Sequence, residues 1–116
     1  MTQFKLKRAY QPQEPSDGFR VYIDRLWPQG LSHETFHYDL WEKDIAPSGD
    51  LRKWFHEDPQ NRWADFEKKY SEELKNNPAF GEFKKLVDSK PVVTLLYSSH
   101  NEQENNAIVV LKALTS

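Results

Sequence analysis

The sequence predicts an α/β fold, a small, mainly parallel sheet with helices packed on it in two or three layers, as a single domain over residues 1–116. Three observations carry this. Residues 92–97 (Val-Val-Thr-Leu-Leu-Tyr) are nearly continuous apolar and β-rich, as a strand buried on both faces requires. Residues 19–24 alternate, with Phe19, Val21 and Ile23 on one side and Arg20, Tyr22 and Asp24 on the other, which is the period of a strand with two unlike faces. Helical segments separate these two strands, so the strands run parallel and are joined by a right-handed crossover.

The other elements follow in order. Residues 3–8 alternate Phe4 and Leu6 with Lys5, Lys7 and Arg8, the pattern of a half-buried strand near an edge. Pro12, Pro15, Asp17 and Gly18 make residues 9–18 a loop. Trp27-Pro28-Gln29-Gly30 forces a turn, because Pro28 holds Trp27 extended and Gly30 permits the exit. Residues 31–47 fit neither period, although they carry Phe36, Leu40, Trp41 and Ile45. Ser48 is suited to N-cap a helix bearing Leu51, Trp54 and Phe55. Asp58-Pro59 opens the clearest helix, with a buried stripe of Trp63, Phe66, Tyr70 and Leu74. Its outer face spaces Asp65–Lys69, Lys68–Glu72 and Lys69–Glu73 for i,i+4 pairing. Asn77-Pro78 stops that helix and starts another through Phe80, Phe83, Leu86 and Val87. A polar loop, 98–101, leads to a last helix starting near 102 and presenting Ala107, Ile108, Val110, Leu111 and Leu114.

Composition narrows the function. Only 37% of the residues are hydrophobic, but 14% are aromatic, and large rings bury enough area to build a core that the aliphatics alone would not. There is no cysteine, which removes disulfides, thiolate nucleophiles, Cys-ligated zinc and iron–sulfur clusters. Sixteen basic against eighteen acidic residues leave a net charge of −2, whereas a chain that grips nucleic-acid phosphates carries a positive excess. Lys5, Lys7 and Arg8 are the only dense basic cluster. No apolar run reaches membrane-spanning length, and the first residues lack a signal peptide's apolar segment. The expectation is a cytoplasmic protein with no membrane or nucleic-acid partner and no cofactor.

In open parallel sheets the binding crevice lies beyond the carboxyl ends of the strands. Asp24-Arg25-Leu26-Trp27 and Ser98-Ser99-His100-Asn101 both emerge there. The residues suggest a pocket for a small anionic ligand, lined by Arg25, Trp27, Lys43, Ser48, Arg52, Tyr97, His100 and Asn106. Arg25 and Arg52 would hold the anion, Tyr97 and Asn106 would orient it, and His100 is the candidate proton carrier. The plainer reading has Arg25 paired with Asp24 or Asp44, locking loops together. Three other motifs have both a chemical and a structural reading. His33-Glu34-Thr35-Phe36-His37 spells a zinc-protease signature, but its flanks lack the apolar stripe of a buried helix, so a solvated loop or short helix is expected and no metal. Asp24, Ser98 or Ser99, and His100 could be drawn as a triad, yet no glycine near Ser98 supplies a nucleophile elbow. Trp41, Trp54 and Trp63 are expected in the core, with Trp27 on its turn the exception. The alternative function is a non-catalytic interaction module that recognises protein or nucleic acid through exposed loops.

Lys-Arg-Ala-Tyr (7–10), Asp-Gly-Phe-Arg-Val-Tyr-Ile-Asp-Arg-Leu-Trp-Pro-Gln-Gly (17–30), Trp-Glu-Lys-Asp-Ile-Ala-Pro-Ser (41–48), Leu-Arg-Lys-Trp-Phe (51–55), Val-Thr-Leu-Leu-Tyr (93–97) and Asn-Asn-Ala (105–107) resemble the YeaO-like family, domain of unknown function 488. The resemblance covers nearly the whole chain. It implies a small α/β domain and a cytoplasmic bacterial protein, and no particular activity. Gln29 stands where that family usually has Arg, Gly49 where Thr is common, and His100 near a position often acidic. The loss of Arg at 29 removes a positive charge beside the expected crevice.

Overall fold

The computed structural model describes residues 2–116. Its strands are β1 (Gln3–Arg8), β2 (Phe19–Tyr22), β3 (Leu40–Trp41) and β4 (Val92–Tyr97). Its helices are α1 (Gly49–Glu57), α2 (Pro59–Lys75), α3 (Pro78–Asp88) and α4 (Asn106–Thr115). The fold is α/β, and every strand pair is parallel, in the order β1-β4-β2-β3. The apolar run at 92–97 is the central strand: Leu95 pairs with Leu6 on one side and Val21 on the other. β1 is an edge strand, as its half-buried alternation predicts.

The order of the strands decides which face each connection covers. The chain moves one way across the sheet from β1 to β2 to β3, then reverses from β3 to β4. Right-handed crossovers therefore send the first two connections to one face and the helical third to the other. The side chains agree. Phe19, Val21, Ile23, Val93, Leu95 and Tyr97 join a core with residues of all four helices, including Leu51, Phe66, Tyr70, Phe83, Val87 and Val110. On the opposite face Tyr22 and Leu96 pack with Ala9 and Phe36, and with the partly buried Trp27, Leu31, Tyr38 and Trp41. The helices thus form one layer, and the second cover is an aromatic loop without regular structure. This explains why residues 31–47 follow neither period: their rings meet edge-on, as in Tyr22–Phe36 at 5.3 Å and Trp27–Trp41 at 5.6 Å.

Beside this aromatic cover lies a polar knot. Asp17, in a short 3-10 turn over Pro15–Asp17, accepts from Arg20 Nη1 at 2.5 Å and from Lys7 Nζ at 3.0 Å. Its backbone carbonyl accepts from Thr94 Oγ1 at 2.7 Å, and Arg20 Nε donates to the His37 carbonyl at 2.8 Å. Gly18 follows with φ +65°, and a Cβ there would lie 2.5 Å from the Val92 carbonyl oxygen. Only glycine lets the turn press this closely on the start of β4.

Some expected boundaries and pairings differ. β2 ends at Tyr22 rather than Asp24, because the Asp24 carboxylate leaves the ladder to bind the loop after β4. The last helix begins at Asn106, where Asn105 Oδ1 accepts from the Ile108 N–H at 3.1 Å, not near 102. Among the described residues none of the three i,i+4 pairs foreseen on α2 closes to an ion pair. Glu73 instead accepts from the Ser48 N–H at 2.9 Å and Ser48 Oγ at 2.6 Å, tying α2 to the start of α1. Lys69 lies over the Trp54 ring at 5.5 Å.

Candidate functional site

β4 lies between β1 and β2, and the chain leaves its end toward the helical face, while β1 and β2 lead to the other face. Neighbouring strands whose connections part to opposite faces leave a crevice between them. A cleft of about 410 Å³ occupies that place, lined by residues following β1 (Tyr10), β2 (Asp24 to Trp27, Gln29) and β4 (Ser98 to His100). Ala46, Pro47 and the Arg52, Phe55 and His56 side of α1 close one flank, and Asn105 and Asn106 at the start of α4 another.

Of the residues singled out from sequence, Arg25, Trp27, Arg52, Tyr97, His100 and Asn106 all line this cleft. Lys43 and Ser48 do not: the Lys43 ammonium lies 4.4 Å from the Trp41 ring centre, and Ser48 caps α1 through its hydroxyl while bonding Glu73. Within the cleft the side chains are unequally free. Asp24 is fixed, its Oδ2 accepting from the Ser98 N–H and Oγ at 2.9 Å each and its Oδ1 from Asn106 Nδ2 at 2.9 Å. Trp41 Nε1 donates to the Asp24 carbonyl at 2.7 Å. Asn106 is therefore committed to holding Asp24, whatever else it touches.

Arg25 and Arg52 are exposed, and among the described residues neither guanidinium makes an ion pair or hydrogen bond. The pairing of Arg25 with Asp24 or Asp44 does not occur there; Asp24 is occupied by Ser98 and Asn106 instead. Tyr97 has a buried ring, and its hydroxyl has no protein partner among the described residues. Burial pushes that phenol up, the charge of Glu102 adds to the shift, and Arg8 opposes it, so Tyr97 is a neutral donor. His100 Nδ1 lies 3.3 Å from Arg8 Nη2. Guanidinium can only donate, so in this contact Nδ1 is the acceptor.

His56, one helical turn beyond Arg52, was missed from sequence. Loss of part of its water shell lowers its pKa, and the Arg52 charge lowers it further, while Asp24 pulls the other way. Its i,i+4 spacing from Arg52 on the capped helix was the available signal. The other motifs take structural places. Residues 33–35 form a turn rather than a helix, with the His33 ring stacked 3.9 Å from that of Trp27. No cluster of three or more potential metal ligands occurs among the described residues. Ser98 Oγ donates directly to Asp24, leaving no histidine between them. Trp27 donates from Nε1 to the Leu31 carbonyl at 2.6 Å, so this cleft residue is also anchored in the aromatic cover.

A family profile described as "Inactive DUF488-N3 subclade" matches residues 3–116. The chain belongs to the DUF488 family. Its likeness to the uncharacterized protein YeaO of Escherichia coli is 42% identity over 112 residues, 95% of each chain. To the uncharacterized proteins Rv3073c of Mycobacterium tuberculosis and Mb3100c of Mycobacterium bovis it is 35% over 113 residues, covering 97% of this chain and 94% of theirs. The YeaO-like resemblance read from the Asp-Arg-Leu-Trp-Pro and Ala-Pro-Ser blocks is thus that of a DUF488 member. No solved structure matches. Among the described residues no helix of this DUF488 chain is long and apolar enough to cross a membrane.

Proposed function

We propose that the protein binds a small anionic molecule in the cleft beyond β2 and β4, and that it acts as a receptor rather than as a hydrolase. The observation that carries this is the pair Arg25 and Arg52, two exposed guanidinium groups on one cleft with no carboxylate partner among the described residues. Guanidinium forks match phosphate and carboxylate oxygens bidentately, and the neutral Tyr97 hydroxyl adds a donor. The receptor reading draws support from Ser98, whose hydroxyl is spent on Asp24, and from the profile description, which calls its subclade inactive. A cytoplasmic location fits this role.

An interaction module that grips nucleic acid has less support. Lys5 Nζ donates to the Ser16 carbonyl at 2.8 Å, Lys7 to Glu14 and Asp17, and Arg8 Nε to the Ser99 carbonyl at 2.9 Å. The one dense basic cluster is already engaged within the chain.

The test is thermal unfolding with inorganic phosphate, against chloride at equal ionic strength. A ligand that binds only the folded state raises Tm by mass action. The wild type should gain Tm with phosphate, and Arg25→Ala and Arg52→Ala should each lose most of that gain. Equal gains in the wild type and in the double variant would refute the site.

A further inference from the structure

If the cleft is an anion site, its remaining lining narrows what the anion is attached to. About 410 Å³ lies within the roughly 300–1,000 Å³ of pockets that enclose small organic molecules, and inorganic phosphate would leave most of it empty. Of the three large apolar side chains that are exposed among the described residues, two, Leu26 at 56% and Tyr10 at 38%, line this cleft. The half-buried rings of Trp27 and Phe55 lie on the same lining. Apolar surface gathered beside unpaired cations is what an amphiphilic ligand requires, since covering Leu26 removes its area from water.

The charged wall also has more donors than one carboxylate needs. His56 follows Arg52 by one turn, so two guanidinium forks and an imidazole share the cleft. A phosphate monoester offers three terminal oxygens and a charge near −2 at neutral pH, matching two fixed cations and a third donor. We propose that the ligand is a phosphate monoester of a flat-ring compound, its phosphoryl group held by Arg25, Arg52 and His56 and its ring covered by Leu26, Trp27 and Phe55. This rests on the anion reading of the cleft and adds to it both the ring and the role of His56.

The surroundings of His56 give the proposal a proton signature. Arg52 on its own helix disfavours the imidazolium and Asp24 from the end of β2 favours it. Arg25, His100, Glu104 and the phenols of Tyr10 and Tyr97 are the other titratable or charged groups on the lining. A bound dianion offsets Arg52, so His56 takes up a proton as the ligand arrives.

The experiment is calorimetric titration of the wild type, Leu26→Ala and His56→Asn with inorganic phosphate, phenyl phosphate and phenol, in buffers of differing ionisation enthalpy. Phenyl phosphate should bind the wild type about tenfold more tightly than inorganic phosphate, equivalent to about 1.4 kcal/mol, and phenol should not bind. Leu26→Ala should erase the ring's advantage while leaving inorganic phosphate unchanged. His56→Asn should weaken both phosphates and abolish proton uptake at neutral pH. Equal affinity for the two phosphates overturns the ring and leaves the anion site standing. Unchanged proton uptake in His56→Asn removes His56 from the ligand. Binding of phenol as tight as phenyl phosphate, or of neither phosphate, overturns this proposal and the anion reading together.

Discussion

Asp17 meets Lys7 and Arg20 with its side chain only 4% exposed, and Arg20 beside it is 3% exposed. Burial alone would raise the Asp17 pKa, but the Glu14 N–H and the Lys7 and Arg20 hydrogen bonds outweigh it and hold the carboxyl below its ordinary 3.8. Because the folded value is depressed, the stabilisation is complete above pH 3.8 and is lost as pH falls through the lower folded value. Asp17→Asn leaves Arg20 buried without its counter-charge, and breaking such a pair costs about 3–5 kcal/mol. Urea denaturation at neutral pH should show that loss, and the gap between wild type and variant should narrow below pH 3.8. At this scale the candidate site was partly legible in sequence. Arg25, Trp27, Tyr97 and His100 were readable because strand ends aim the residues that follow them into the crevice. Lys43 and Ser48 were misplaced because their partners, the Trp41 ring and Glu73, depend on packing that local spacing does not encode.

Among the elements, α1 and α2 are joined at Ser48, whose capping role is legible in the sequence and whose bond to Glu73 is not. Ser48 accepts from the Leu51 N–H at 3.2 Å as the N-cap of α1 and donates to Glu73 on α2. Ser48→Ala removes both bonds and should cost about 1–2 kcal/mol, the upper part of the range for a lost cap. A double-mutant cycle with Glu73→Ala should return a coupling of about 0.5–3 kcal/mol. A coupling near zero would mean that the two helices are held by their apolar faces alone. The elements that are legible are those whose burial is written in their own period: β4 by its continuous run, buried on both faces, and α2 by the stripe of Phe66, Tyr70 and Leu74. β3 was not legible. It is two residues long, and its pairing of Leu40 and Trp41 with Val21 and Tyr22 exists because the aromatic loop folds over the sheet. No local signal announces such a contact.

Across the whole molecule, the four tryptophans divide evenly between the two faces of the sheet. Trp27 and Trp41 belong to the aromatic cover, while Trp54 and Trp63 pack against the helical core. Both clusters share the central strand, since Leu95 faces one and Leu96 the other. The two faces should therefore unfold together. Variants that retain only the first or only the second tryptophan pair, the others changed to Phe, should each give fluorescence and circular-dichroism denaturation curves that superimpose. An earlier fluorescence midpoint for the Trp27 and Trp41 pair would show the aromatic cover detaching on its own. The central position of β4 also bears on how the protein is made. The strand that every sheet-spanning pairing needs is the last to leave the ribosome. Residues 9–91 separate β1 from β4, on the order of 4–16 s of translation at about 5–20 residues per second. Throughout that interval β1 has no neighbour, and only the two-residue contact of β2 with β3 is available. A nascent chain stalled before Val92 can wind its first three helices, but it has no surface on which to lay them.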